Sequence, residues 1–445
     1  MAGEAPRALG LWRSTALVVG NMIGSGIFLL PASLGVFGGI SILGWLFTST
    51  GALMIALVFA RLARTVPKTG GLYVYTRTGF GDMAGFLVAW GYWISIWAGN
   101  AAIATGFAGY MGVFIPPLSR NPLLAGLTAV AAIWILSWVN TMGVRTAGIV
   151  QLVTTVLKLL PLAAVATLGL VFFNRANMTP FNLSGQSPFS AVTATAALTL
   201  WAFLGLESAT IPADDVVDPQ RTIPRATILG TVSTALVYML GTVAVMGVIP
   251  AASLAKSTAP YADAASLMWG GWASYAIAAG AAISCFGALN GWILLQGQLP
   301  LAVARDGLFP AAFARLSKRG TPVVGIVISS VLATILISMN YTKGLVGAFT
   351  FIILLATLQT LVPYVFCSAA DAIISVGRGS GARGALRPGL LLIPGLAFVY
   401  SLWAIGGSGR DTVYWGFLLI LAGIPVYVWK RLRPGEQEPR SQQTF

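Results

Sequence analysis

The chain has 445 residues, 57% of them apolar and only 9% charged, with 26 Lys and Arg against 12 Asp and Glu for a formal net charge of +14. So apolar a composition excludes an ordinary soluble enzyme or binding domain. Histidine is absent, which removes Ser-His hydrolases, His-ligated metal sites and b-type haem together.

Apolar runs of roughly 20 residues recur along the chain and mark about twelve transmembrane spans. They lie near 11–37, 40–64, 82–115, 122–140, 146–173, 189–212, 225–250, 271–303, 322–340, 344–376, 388–407 and 411–431. An all-α integral membrane protein follows, with one transmembrane domain over 1–433 and a polar cytoplasmic tail over 434–445. The first run is too long for a signal peptide and lacks a small-residue cleavage site after it. Taking the loops alternately from an inward N-terminus leaves only Arg120, Arg175, Lys256, Lys343 and Arg410 outside. Nearly all other basic residues, among them Arg61, Arg64, Arg77, Arg315, Lys318, Arg319 and Arg431, fall inside. That asymmetry places both termini in the cytoplasm and the chain in the cell (inner) membrane. It also accounts for the positive charge without nucleic acid. Cys285 and Cys367 both sit in apolar runs, so a disulfide-linked subunit is not expected.

The first span carries Gly20-Asn21-Met22-Ile23-Gly24-Ser25-Gly26-Ile27-Phe28. Each Gly costs about 1 kcal/mol relative to Ala inside a helix, and freed backbone groups in lipid need partners. A helix broken on purpose resolves both, because its opened backbone lines a cavity. The amides of Ser25 and Gly26 would then face a carboxylate, and the carbonyl of Met22 an ammonium. The plainer alternative is that these small residues let a neighbouring helix pack closely.

Between spans two and three, Gly70-Gly71 with Tyr73 and Tyr75 reads as a packed cytoplasmic turn. The sixth span repeats the logic of the first: Trp201-Ala202-Phe203-Leu204-Gly205-Leu206-Glu207-Ser208 puts a glycine and a carboxylate inside an apolar run. Two interrupted helices five spans apart point to an inverted repeat with a midplane site between its halves. The repeats would cover about 11–173 and 189–376, with peripheral helices over about 388–431. After span eight, Arg305 to Pro310 reads as a short amphipathic element.

Six single residues stand out. Glu207 is the one acidic residue read at membrane depth, where a charge costs about 2.5–3.5 kcal/mol on insertion scales; it is a candidate coupling or gating residue, or a neutral cap on the broken helix. Lys158 in span five is its basic counterpart, placed to bridge carbonyls of the first span where a sodium ion would otherwise sit, to snorkel toward an interface, or to pair statically with Glu207. Trp201 and Trp292 lie away from the interfacial belt, where an indole face attracts a cation with roughly 0.5–2 kcal/mol. Asn100, with Tyr92 two turns before it, could serve a substrate or tie helices together.

These segments resemble the amino acid–polyamine–organocation (APC) transporter superfamily, most closely the bacterial arginine/agmatine antiporter group. The resemblance rests on Gly20 to Pro31, Gly70 to Tyr73, Tyr92-Trp93, Gly99-Asn100, Leu200 to Ala209, Gly291-Trp292, Asp306 to Arg315 and Leu361 to Tyr364. It implies a LeuT-type 5+5 inverted repeat with broken helices 1 and 6. It further implies that Ser25 and Gly26 bind the substrate carboxylate and that the carbonyls of Met22, Trp201 and Leu204 take its ammonium. Trp201 would be an aromatic lid, Trp292 a platform under the distal group, and Asn100 a substrate contact. Tyr92, Glu207 and Tyr364 would form a cytoplasmic gate. At the distal pocket the chain has Ser95, Ile96, Ile103 and Ala356, where the antiporters have alanine, cysteine, methionine and serine. Lys158 also departs from those antiporters and matches sodium-independent permeases of the wider superfamily.

The expected function is sodium-independent amino-acid transport by alternating access, as an exchanger of cationic amino acids or their amines. Ile96 and Ala356 favour the alternative of a neutral or broad-specificity permease, proton-coupled or facilitative. A membrane receptor that binds an amino acid without moving it is the rival of another class. No enzymatic activity, cofactor or metal is expected; the partners are the small-molecule substrate, the lipid bilayer and, from the resemblance, a second copy in a homodimer.

Overall fold

The computed structural model describes residues 9–68, 70–142, 162–211, 213, 216–379 and 388–432. Its helices are α1 (Leu11–Met22), α2 (Ser25–Gly35), α3 (Ser41–Thr65), α4 (Leu72–Phe80), α5 (Asp82–Phe114), α6 (Pro122–Thr141), α7 (Pro188–Leu200) and α8 (Pro219–Val248). They continue as α9 (Pro260–Trp269), α10 (Gly271–Arg305), α11 (Val323–Asn340), α12 (Gly344–Gly379), α13 (Pro388–Gly407), α14 (Arg410–Leu421) and α15 (Gly423–Arg431). Among the described residues, nine helical segments are long and apolar enough to cross a membrane, one of them running through α11 and α12. Shorter apolar helices at Leu162–Phe172 and Leu391–Gly407 add to these. The chain is therefore a multi-pass, all-helical membrane protein of about twelve helices.

The central helix is α5, packed between α10 and α12. Glycines on α5 let the two broken spans approach it closely. A Cβ on Gly99 would come within 3.1 Å of the Trp201 ring, and one on Gly106 within 2.8 Å of Ser25 Cβ. A second group forms where α8 packs against α1 and α3, and α3 against α7. Helices α1 and α7 of this second group are the first halves of the two broken spans.

The first break is short. Helix α1 ends at Met22, Ile23 is extended, and α2 restarts at Ser25. The second is longer: α7 ends at Leu200, Trp201–Phe203 make a 3-10 turn, Leu204 is extended, and helical turns resume at Ser208–Thr210. Gly205 makes the reversal possible with φ +106°, and its Cα faces the backbone of Asn21, 3.1 Å from where a Cβ would sit. A side chain there meets both the left-handed penalty and a backbone that cannot move aside. Gly205→Ala is expected to cost about 1–3 kcal/mol and to lower the Tm in detergent; an unchanged Tm would show that the reversal tolerates a Cβ.

Three local expectations change. Gly70 and Gly71, both at positive φ, do not close a simple turn; they open helix α4, on which Tyr73 and Tyr75 are buried. Residues 305–310 form no amphipathic element, because Gly307 at φ +77° ends α10 and a 3-10 turn follows only at Ala311–Ala314. Helix α8 begins at Pro219, ahead of the expected 225, since a proline in the first turn sacrifices no hydrogen bond.

Helix α4 is anchored by charge. Arg77 pairs with Asp82 at 2.9 Å and with Asp306 at 3.1 Å, and Arg431 reaches Asp82 at 2.9 Å. Tyr73 Oη donates to Asp306 Oδ2 at 2.9 Å. Burial, and then the Asp306 charge, push the Tyr73 phenol well above its usual range, so it remains a donor. Single exposed pairs contribute little; this network gains its weight by joining α4, α5, α15 and the end of α10.

Candidate functional site

A cavity of about 20 Å³ lies where the two breaks face each other and α5. Such a volume admits about one water molecule, so the arrangement is closed and an amino acid enters only if side chains move. Its lining includes Met22, Ser25, Gly26, Ser95, Ile103, Trp201, Leu204 and Trp292 from the residues singled out in the sequence. Asn21, Gly24 and Gly99 line it as well.

The anionic half of a substrate has an evident place. Helix α2 starts at Ser25 behind Gly24, which has no side chain to cap the first amides. Ser25 Oγ is buried without a hydrogen-bond partner. Unsatisfied donors at a helix N-terminus attract a carboxylate through both hydrogen bonding and the helix dipole. The carbonyls opposite are more occupied. Met22 O accepts from Tyr238 Oη at 2.6 Å, and Trp201 O accepts from Leu204 N at 3.2 Å. Each retains a second lone pair.

Trp201 closes the cavity. Its indole lies between Gly26 and Gly99, with Cδ1 3.1 Å from a Cβ built on the first and Cη2 3.1 Å from one built on the second. Only two glycines leave that slot open. Trp292 Nε1 donates to Asn21 O at 3.4 Å, which turns its ring toward the first break.

Beneath the cavity Glu207 is fully buried. Its Oε1 accepts from Tyr92 Oη at 2.7 Å; its Oε2 accepts from Tyr364 Oη at 2.8 Å and from Gly205 N at 3.2 Å. One carboxylate thereby ties α5, α12 and the second break together. The three residues expected as a gate do converge.

Other expected site residues lie off the cavity wall. Asn100 Nδ2 donates to Gln296 Oε1 at 2.7 Å, and Gln296 in turn donates to Ser330 Oγ at 2.8 Å, so this amide belongs to a network between α5, α10 and α11. Ile96 and Ala356 are buried in packing. Ser95 touches the cavity, and its hydroxyl bonds Thr360 Oγ1 at 2.5 Å. Lys158 falls outside the described residues. Glu207 also has company: Asp371 in α12 is fully buried and pairs with Arg61 at 3.2 Å. Asp371 lies near the end of the expected span 344–376, with Arg378 just beyond it, which is why the sequence does not separate it from loop charges.

The family profile described as amino acid permease matches residues 9–426. The chain belongs to the amino acid permease family. It is 36% identical to a cadaverine/lysine antiporter of Escherichia coli (strain K12) over 382 residues, 83% of this chain and 84% of that protein. It is 31% identical to the putrescine transporter PotE of the same strain over 428 residues, 96% of this chain and 97% of that one. A putative arginine/ornithine antiporter of Bacillus subtilis (strain 168) shares 35% over 468 residues, 95% and 97% of the two chains. These relatives agree with the APC resemblance and with transport as opposed to catalysis. In the permease, Tyr238 behind the first break is not legible from the sequence, because an isolated Tyr in an apolar run carries no spacing signal.

Proposed function

We propose that this permease is a sodium-independent exchanger of cationic amino acids and their amines, working by alternating access around the cavity between the two breaks. The single observation that supports a substrate site here is the uncapped start of α2, with Ser25 Oγ buried and unpartnered beside it. The substrate carboxylate lies on the Ser25 and Gly26 amides, and its ammonium lies against the carbonyls of Met22 and Leu204. Trp201 swings over the substrate chain, Trp292 underlies its distal cation, and Ser95 and Ile103 bound that end. Asn100, Ile96 and Ala356 come into reach only when α5 and α12 shift. The Tyr92–Glu207–Tyr364 cluster is the gate on the cytoplasmic side, with both termini on that side of the inner membrane. Residues 11–173 and 189–376 are inverted repeats, 388–431 are peripheral, and the protein pairs as a homodimer.

The exchange reading draws on the relatives, three of which are named for diamines or for lysine, arginine and ornithine. Equilibrium binding to the purified protein tests the substrate class. Arginine, lysine, ornithine and the matching diamines should bind equally well in sodium and in choline buffers, while Trp201→Ala weakens binding about tenfold through loss of the ring contact. Binding of leucine and alanine alone would instead place the neutral permease reading first, with Ile96 and Ala356 as its cause.

A further inference from the structure

Away from the substrate cavity, a groove of about 590 Å³ runs along the outer faces of α6 and α11. Trp134, Trp138, Val323 and Val327 form its walls, and Lys318 and Arg319 stand at one end. We propose that this groove holds the headgroup and upper chains of one anionic phospholipid of the cytoplasmic leaflet, an assignment that rests on the orientation proposed above.

The cations are presented by a built turn. Ser317 N donates to Thr321 O at 2.9 Å, Gly320 N donates to Ser317 O at 2.9 Å, and the Ser317 and Thr321 hydroxyls meet at 2.6 Å. Thr321 Oγ1 also donates to Thr141 O at 3.3 Å, which fastens the turn to the end of α6. Lys318 and Arg319 are exposed on this turn, and among the described residues neither side chain has an ion pair. One indole of the aromatic wall is held by a hydrogen bond and the other is open to a ligand. Trp134 Nε1 donates to Thr334 Oγ1 at 3.1 Å, whereas the Trp138 ring is 62% exposed.

The two halves of the groove select the same ligand. Two exposed cations at the membrane surface attract an anionic headgroup. A free anion such as phosphate has no use for two indoles and two valines, while a lipid's glycerol and first methylenes do. Tryptophan at headgroup level is suited to that boundary. A second basic cleft on the same face, at Arg64, Gln220, Arg221 and Arg225, has no aromatic wall, and it serves as the internal comparison.

The test is native mass spectrometry of the full chain, delipidated in detergent and titrated with cardiolipin or phosphatidylglycerol, with phosphatidylcholine as the zwitterionic reference. The wild type should retain one anionic lipid in preference to phosphatidylcholine. Lys318→Gln with Arg319→Gln should weaken that binding about thirtyfold, and Trp138→Ala should weaken it with both charges in place. Arg64→Gln with Arg221→Gln and Arg225→Gln, which removes more charge from the same face, should leave it within about threefold of the wild type. Equal weakening by this triple variant, displacement by millimolar inorganic phosphate, or retention unchanged in the Lys318/Arg319 variant would overturn the assignment. Substrate binding by each variant confirms its fold. Lipid retention in a protein that binds no amino acid or amine would leave this site standing and refute only the exchange reading.

Discussion

Glu207→Ala is expected to reduce transport at least about a hundredfold and to lower stability. The substitution leaves two buried phenol hydroxyls, of Tyr92 and Tyr364, and the Gly205 N–H without the acceptor they share. Each orphaned buried donor costs about 1–3 kcal/mol, and the loss falls where α5, α12 and the second break meet. Glu207→Gln keeps the volume and one carbonyl acceptor, and a tyrosine hydroxyl can turn to accept from its amide. Its transport should fall only about tenfold, with a smaller drop in Tm. Tyr92→Phe and Tyr364→Phe each remove one bond from the same carboxylate, so their effects should not add when combined. Uptake by Glu207→Ala within threefold of the wild type would mean that the cluster is a packing feature and no gate.

The second large effect belongs to the opposite side of the cavity. Gly26→Val should raise the dissociation constant for substrate about a hundredfold or more, because the new side chain enters a space of about 20 Å³ beside the Trp201 ring. Its Cβ alone would stand 3.1 Å from Trp201 Cδ1, so the lid can no longer seat. Ser25→Ala provides the milder comparison. It removes only the unpartnered Oγ and leaves both amides in place, so affinity should fall about tenfold while the Tm holds. Isothermal titration of both variants checks the pair. Normal affinity in Gly26→Val would move the carboxylate site away from the start of α2.

The two breaks are legible in the amino-acid sequence alone. Gly24, Gly26 and Gly205 mark them because glycine in a spanning helix needs a reason, and Glu207 stands out because a lone carboxylate in lipid does too. The convergence of Tyr92 and Tyr364 on Glu207 is available only through the family resemblance; they lie 115 and 157 residues from it along the chain. Tyr238 is hidden. Nothing in the apolar run around it marks a hydroxyl that reaches the Met22 carbonyl at 2.6 Å. Asn100 offers two readings in the sequence, and the structure engages its Nδ2 with Gln296 while its Oδ1 stays buried without a partner. Helix α4 escapes a sequence reading because Gly70 and Gly71 suit a turn as well as a helix start, and only the helical run from Leu72 to Phe80 distinguishes the two.

The most direct test is counterflow in proteoliposomes, with labelled arginine or lysine outside and no sodium. Vesicles preloaded with a cationic amino acid or its diamine should accumulate label rapidly, and empty vesicles should accumulate almost none. Equal uptake into loaded and empty vesicles, or tight binding with no uptake in either, would contradict exchange around the cavity between the two breaks.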